Sequence, residues 1–306
     1  MTDNRSRQVV LTERPTGIPE TRHFDVQEVA RPEAVDGEFL VRNRFLSVDP
    51  AMRGWVNAAA NYSEPVTIGQ VMRSFAAGEV VHSNHPDYAA GDLLCGMFGW
   101  RDYAVSDGSN VIFRNDIADA PLSASLGILG VNGITAYLGL LDVGEPNSGE
   151  TVVVSTAAGS VGSAVGQIAK IKGCRTVGLT GSAEKVRQCR DEFAYDGAID
   201  YHTDDLDGAL AEACPDGVDV YFDNTSGAIS DAVYRRLNFG ARCVVCGTAS
   251  LASWEPWPEG PRIERHMLVK RARIQGFLLF DYAQRYGEAR LQLAEWLAAG
   301  KLTYRE

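Results

Sequence analysis

The chain has 306 residues, 45% hydrophobic and 23% charged, a composition that can bury a core without disulfide or metal staples. At roughly 150 residues per domain, the length suggests two domains. A formal net charge of −11 argues against nucleic acid or an anionic membrane surface as the main partner, so any anionic ligand needs a local positive site. The start, Met1-Thr-Asp-Asn-Arg-Ser-Arg-Gln8, is polar and unlike a signal peptide. No apolar run reaches the ~18 residues of a membrane span. Cys95, Cys174, Cys189, Cys214, Cys243 and Cys246 form no paired framework. A reduced, cytoplasmic protein is the expectation.

Residues 1–122 carry short strand signals at 9–11, 38–45, 66–68 and 79–81, separated by Pro, Gly, Asn and Asp. A turn over 85–92 leads into a further apolar run, Leu93-Leu-Cys-Gly-Met-Phe98. The pattern predicts a compact, mostly β domain. This region offers a metal only Cys95, with His82 and His85 in a turn. The Cys and His sets of catalytic or structural zinc are therefore missing, and no metal is expected.

From about Leu122 the texture changes to helix, strand and helix in alternation, which predicts a parallel sheet over 123–300. Its most informative stretch is Thr151-Val-Val-Val-Ser-Thr-Ala-Ala-Gly-Ser-Val-Gly162, followed by a helical run to Lys172. Ala157, Gly159 and Gly162 occupy the three positions of a G-x-G-x-x-G pattern between a buried strand and a helix. The first small residue is expected to make the turn and the second to let the backbone approach a pyrophosphate. The third lets helix and strand pack closely. The helix N-terminus then aims unpaired N–H groups at the phosphates. Residues 175–180 form the next predicted strand. An NAD site would want Asp or Glu just beyond it, but the chain continues Thr180-Gly-Ser-Ala-Glu-Lys185. This small polar loop leaves room for a 2′-phosphate that Lys185 would neutralise, pointing to NADP(H). The competing reading makes Ser182 a helix cap and Lys185 a solvated charge.

Further strands are predicted at 218–223, 242–246 and 273–279, with helices at 184–191, 228–237 and 282–299. On the last helix Tyr286, Leu293, Trp296 and Leu297 share a face. Cys243-Val-Val-Cys246 has redox spacing but sits in an apolar run that reads as a core strand. The Pro-rich loop 254–261, with Trp254 and Trp257, suits a substrate pocket or a dimer contact equally.

Ser47-Val-Asp-Pro-Ala-Met-Arg-Gly54, Gly133-Ile-Thr-Ala-Tyr137, the 157–170 segment and Tyr221-Phe-Asp-Asn224 together resemble the zinc-independent medium-chain dehydrogenase/reductases. The nearest group is the prostaglandin/leukotriene reductases and bacterial curcumin reductase. The resemblance runs from Val9 to Glu306. It implies an α/β protein: a GroES-like β-rich domain joined to a Rossmann doubly wound parallel sheet, usually as a homodimer. It implies NADPH-dependent reduction of the C=C bond of enones and enals. Carried over, Gly159, Ser160, Val161 and Gly162 hold the pyrophosphate, and Lys185 and Tyr201 contact the 2′-phosphate and adenosine side. Asn224 lies near the cofactor's ribose. Cys246, Gly247, Thr248 and Ser250, with Phe277, Leu278 and Leu279, flank the nicotinamide. Tyr62 lines the substrate pocket, as does the Met52-Arg53 segment; Tyr62 otherwise reads as a loop aromatic beside Pro65.

Two departures qualify this. The family's Tyr-Asn pair in the loop after Gly247 is replaced by Ala252-Ser253-Trp254. The resemblance also implies a further helix and strand after residues 301–306, returning to the β domain and adding an Asn to the cofactor site. Either this return segment is missing or that edge is completed some other way, and an incomplete β domain would leave a cofactor binder with poor turnover. Without a Lewis acid, reduction at carbon is easier to support than reduction of a carbonyl. Hydride addition at the β-carbon builds an enolate whose oxygen needs donors. The nicotinamide ribose hydroxyl and Tyr62 are the expected ones, with water or Tyr62 protonating the α-carbon. NADPH:quinone reduction and a non-catalytic NADPH-binding protein remain the alternatives.

Overall fold

The computed structural model describes residues 4–58, 62–251 and 258–305. Contacts divide it into two units, Met1–Leu126 and Gly127–Glu306.

The first unit is built from β1 (Arg5–Leu11), β2 (Phe24–Ala30), β3 (Phe39–Leu46), a short helix α1 (Met52–Trp55), β4 (Ala76–Ser83), β5 (Leu93–Gly96), β6 (Tyr103–Ser106) and β7 (Val111–Arg114). β1 and β2 pair antiparallel. The others form an antiparallel sheet in the order β6-β3-β4-β5-β7. Alternate residues of these strands point one way, which brings Phe39, Val41, Ala76, Val80, Leu94 and Ala104 together with Phe98 in one buried cluster. The strand expected at 66–68 does not form. Pro65 precedes it and Gly69 follows at φ +86°, so these residues make single links instead, Val66 N–H to Trp55 O and Gly69 N–H to Leu11 O.

The second unit opens with α2 (Val131–Leu138), which widens into a π-helical turn over Gly139–Gly144. Then come β8 (Thr151–Ser155), α3 (Ser160–Ile171), β9 (Arg175–Thr180), α4 (Ala183–Asp191), β10 (Gly197–Asp200), α5 (Leu206–Ala213), β11 (Val218–Asp223), α6 (Gly227–Tyr234), β12 (Leu237–Val245), α7 (Glu264–Lys270), β13 (Arg273–Gly276) and α8 (Tyr286–Ala298). The sheet is parallel, in the order β10-β9-β8-β11-β12-β13. In order of appearance that is 3-2-1-4-5-6, the Rossmann arrangement, whose direction reverses between β8 and β11. Helices cover its faces, so β8 is wholly buried, as the unbroken apolar run anticipates.

Three boundaries differ from expectation. The helix at 228–237 stops at Tyr234, because Leu237 is captured by β11 opposite Val218 and Asn238 Nδ2 donates to Asp219 at 2.8 Å. The strand at 273–279 ends at Gly276 and is followed by a 3-10 turn over Leu279–Arg285. That turn takes the start of the helix expected from 282, where Tyr282 is non-helical, and α8 begins at Tyr286. Cys243 faces the hydrophobic cluster, and burial pushes its thiol up to about 12. Cys243 lies in β12 and Cys246 directly after its end, and both are free.

At the amino-terminal side of the sheet Arg242 forks onto Glu150, Nη1 to Oε1 at 2.9 Å and Nη2 to Oε2 at 2.5 Å. It also donates to the carbonyls of Gly144 and Glu145. Burial alone would raise the Glu150 carboxyl, but the hydrogen bonds from Arg242 and the Asn147 N–H outweigh it and hold Glu150 low. The opposite, carboxyl side carries the residues predicted to hold the cofactor. Residues 301–305 lie with this unit, where Thr303 exchanges two hydrogen bonds with Gln167 of α3.

Candidate cofactor site

In an open α/β sheet ligands bind beyond the carboxyl ends of the strands, at the point where strand order reverses. Each predicted cofactor residue follows one of these ends: Gly159 to Gly162 after β8, Lys185 after β9, Tyr201 after β10, Asn224 after β11, Cys246 to Ser250 after β12 and Phe277 to Leu279 after β13.

The turn after β8 is tight, and the residue that makes it tight is Thr156, at φ +54°. Sequence reasoning gave that role to Ala157. Ala157 is instead fully buried, its N–H donating to Leu179 O and its methyl lying against Gly178 of β9. Gly159 is the N-cap of α3 and brings no side chain, so the first N–H groups of α3 keep no side-chain cap. At Gly162 a side chain would drive into Thr156 O and the Ala157 backbone, the close helix–strand approach expected of the third position. The Tyr195 hydroxyl, buried behind the turn, donates to Gly162 O at 2.6 Å and fixes it from below. Burial lifts the Tyr195 hydroxyl well above its ordinary pKa, so it stays a donor.

In the loop after β9 the cap expected of Ser182 forms. Ser182 Oγ accepts from Lys185 N–H at 3.2 Å and caps α4. The Lys185 side chain is exposed and forms no ion pair among the described residues. Tyr201 leans over the same corner, its hydroxyl 2.5 Å from where a Cβ on Gly181 would sit. Its ring meets His202 at a centroid distance of 4.6 Å. Gly181, Ser182, Lys185 and Tyr201 thus gather at one corner with a free ammonium, a donor set that fits a 2′-phosphate. Glu184 is exposed on α4.

Across the reversal point Asn224 is held by β8. Its N–H donates to Ser155 Oγ at 2.8 Å and its Nδ2 to Ser155 O at 2.7 Å. The segment after β12 is strapped to the turn after β11. Cys246 and Gly247 N–H donate to Asp223 O, Ala249 N–H to Asn224 O, and Ser250 to Thr225 O through both its N–H and its Oγ. Thr248 O closes that loop by accepting from Leu251 N–H. Phe277 continues from β12 through its N–H to Val245 O and packs on Tyr282 at 5.1 Å. Leu279 is buried, and Leu278 is half-buried between them. Sequence reasoning missed Ser155, Tyr195 and Asp223. Only Asp223 had a readable signal: a carboxylate ends an apolar strand, with Thr225 and Ser226 two and three residues on, the spacing of an Asx-type turn.

In the first unit Tyr62 is half exposed. Its loop is held on both sides by Arg14, which donates to Val56 O, Asn57 O and Val66 O, and by Arg73, which donates to Glu64 O. Arg73 lies over the Trp55 ring at 4.8 Å. Met52 is buried, which makes it part of this unit's interior, and Arg53 is half-buried. The Ala252-Ser253-Trp254 departure and Trp257 lie outside the described residues.

Comparison with known proteins gives this geometry its context. Family profiles described as the N-terminal domain of oxidoreductase and as zinc-binding dehydrogenase match residues 7–113 and 160–296. Among the described residues no group of three His, Cys, Asp or Glu is placed to hold a metal ion. The chain is 44% identical to the NADPH-dependent curcumin reductase of Escherichia coli over 99% of its length and 89% of that protein's. It is 37% identical to the NADP-dependent 2-alkenal reductase of Nicotiana tabacum, over 98% and 89%. The crystal structure of CurA from Vibrio vulnificus in complex with NADPH superposes with a TM-score of 0.92 at 42% identity, covering 98% of this chain and 90% of that one.

Proposed function

We infer function from one premise: this chain belongs to the zinc-independent medium-chain dehydrogenase/reductase family. It is an NADPH-dependent oxidoreductase that reduces the C=C bond of α,β-unsaturated ketones and aldehydes. The observation that carries this conclusion is identity of 37–44%, over nearly the whole chain, to reductases of that activity.

Bound NADPH supplies the hydride for the β-carbon of the alkene. The chain's residues do the rest. The N–H groups at the start of α3 take the pyrophosphate, and Lys185, Ser182 and Tyr201 take the 2′-phosphate. Asn224 and residues 246–250 and 277–279 orient the nicotinamide half. Tyr62 is proposed as the donor to the oxygen of the enolate, with Tyr62 or water delivering the proton to the α-carbon. The two Arg14 and Arg73 clamps support that role by fixing the loop on either side.

The experiment is single-turnover oxidation of NADPH by a medium-chain enone, with product analysis and Tyr62→Phe alongside. A saturated ketone is expected, with kcat reduced by about 10²-fold in the variant. Hydroquinone formation from a quinone, with no enone turnover, would establish the quinone reductase instead. Unchanged kcat and KM in Tyr62→Phe remove Tyr62 from the mechanism.

The protein is further proposed to be a cytoplasmic homodimer. No helix among the described residues is long and apolar enough to cross a membrane, and cell fractionation tests the compartment. Two features support self-association. β13 ends the parallel sheet with no neighbour on its outer side among the described residues. Close to it in sequence, Leu268 and Val269 of α7 are exposed, as is Phe239 of β12. Sedimentation velocity is expected to give twice the 33.2 kDa chain mass, shifting to the monomer in Leu268→Glu.

A further inference from the structure

Asp223 is the most heavily bonded side chain in the second unit, and the function above does not use it. It is fully buried, and no cation pairs with it among the described residues. Burial of a lone carboxylate is costly unless donors replace its water, and here they do. Oδ1 accepts from Ser226 N–H at 2.8 Å, Thr225 N–H at 2.9 Å and Tyr221 Oη at 3.0 Å, with longer approaches from Ser155 Oγ and Thr225 Oγ1 at 3.3 Å. Oδ2 accepts from Ser230 Oγ at 2.6 Å. The donors come from β8, β11 and α6, which meet at the reversal point of the sheet. Its main-chain carbonyl accepts Cys246 and Gly247 N–H at 2.8 and 3.0 Å, adding the end of β12.

One of these partners is held in a conformation it would not adopt freely. Ser226 has φ +61° and ψ −169°, a region costing a non-glycine residue about 1–3 kcal/mol and kept only where the surroundings impose it. The imposing contacts are its N–H to Asp223 Oδ1 and its carbonyl, which accepts Ser250 Oγ at 3.0 Å. The carboxylate therefore shapes the turn that carries Asn224 and the loop that carries Gly247 and Ser250.

We propose that Asp223 is the positioning residue of the nicotinamide half of the cofactor site, setting the turn at 224–226 and the strand end at 246–250 through one buried carboxylate. This rests on the NADP(H) reading above. The adenosine half is built on the strand ends of β8 to β10, and among the described residues its one direct link to Asp223 is the 3.3 Å approach of Ser155 Oγ at the end of β8. The two halves are therefore separable by ligand.

The test measures binding of 2′,5′-ADP, which fills only the adenosine half, and of NADPH, by calorimetry on Asp223→Asn and Ser230→Ala, together with single-turnover hydride transfer. In Asp223→Asn, 2′,5′-ADP affinity stays at the wild-type value while NADPH affinity falls toward it. Hydride transfer slows by about 10²-fold, the effect of misplacing a reacting group by about an ångström. Ser230→Ala removes the donor on Oδ2 without burying a new group and moves both readouts the same way, by about tenfold. It keeps the proposal testable should Asp223→Asn fail to fold. Unchanged NADPH binding and hydride transfer in either soluble variant overturn the proposal. So does a parallel loss of 2′,5′-ADP binding, which would make Asp223 a general support of the fold. Wild-type protein that binds neither ligand overturns the NADP(H) reading and the proposal with it.

Discussion

Gly162→Val weakens NADPH binding by about 10²-fold, the largest single loss expected in the pyrophosphate half. The added carbons meet main-chain atoms, Thr156 O and the Ala157 backbone. Neither can swing aside as the end of a flexible side chain would. The start of α3 must move away from β8, carrying with it the N–H groups proposed to hold the pyrophosphate. Tyr195 resists that movement, because its hydroxyl is bonded to Gly162 O and is buried. Part of the cost therefore falls on stability, about 1–3 kcal/mol by the measure of overpacked interiors. Gly162→Ala gives a smaller loss in the same direction. Titration of NADPH fluorescence and a denaturant melt on the two variants read both effects. Wild-type affinity in Gly162→Val would mean that the phosphates lie elsewhere.

The second large effect is on cofactor choice. Lys185→Glu raises the dissociation constant for NADPH by about 10²-fold and leaves NADH within about twofold, and Lys185→Ala raises it by about tenfold. The reasoning is electrostatic. The ammonium is exposed and forms no ion pair among the described residues, so its charge is free for the 2′-phosphate, and no partner must be stripped away first. Glutamate replaces attraction by repulsion at a corner already holding Tyr201 and Ser182. Because the group faces water, the preference for NADPH also narrows as ionic strength rises. Parallel changes in NADPH and NADH affinity would remove Lys185 from the 2′-phosphate site. The α4 cap is independent of the side chain, since Ser182 accepts from the Lys185 main-chain N–H. Helix stability does not confound the comparison.

Local chemistry explains how much was legible without coordinates. The run Thr151-Val-Val-Val-Ser155 is β-branched and apolar without interruption, and a segment of that kind is buried in a parallel sheet on both faces. Gly162 is dictated by how close α3 must come to the end of its own strand, a constraint within a dozen residues. Ser182 and Lys185 lie within one turn of helix. Each of these is a short-range requirement, so sequence alone determined the turn between β8 and α3, the Ser182 cap of α4 and the alternation of strands and helices around them.

Tertiary structure decided what depended on partners distant in the chain. The strand that begins at Leu237 displaces the end of a helix because β11 offers it a ladder, and no local propensity records that offer. Residues 66–68 remain without a strand because Val66 N–H goes singly to Trp55 O, Thr67 N–H goes to the Gln70 side chain, and the link to Leu11 O comes from Gly69. The positive φ fell on Thr156 and not on the small residue after it, because Ala157 had to pass beneath Gly178 of the neighbouring strand. Asp223 is the furthest case. An acidic residue at a strand end signals an Asx-type turn but not its own burial, and only the meeting of Ser155, Tyr221, Ser230 and the 225–226 turn around it makes a buried carboxylate tolerable. Spacing along the chain encodes contacts made within one element. Contacts between elements arise from the packing of the whole sheet, and that packing is what gathers donors from β8, β11 and α6 around Asp223.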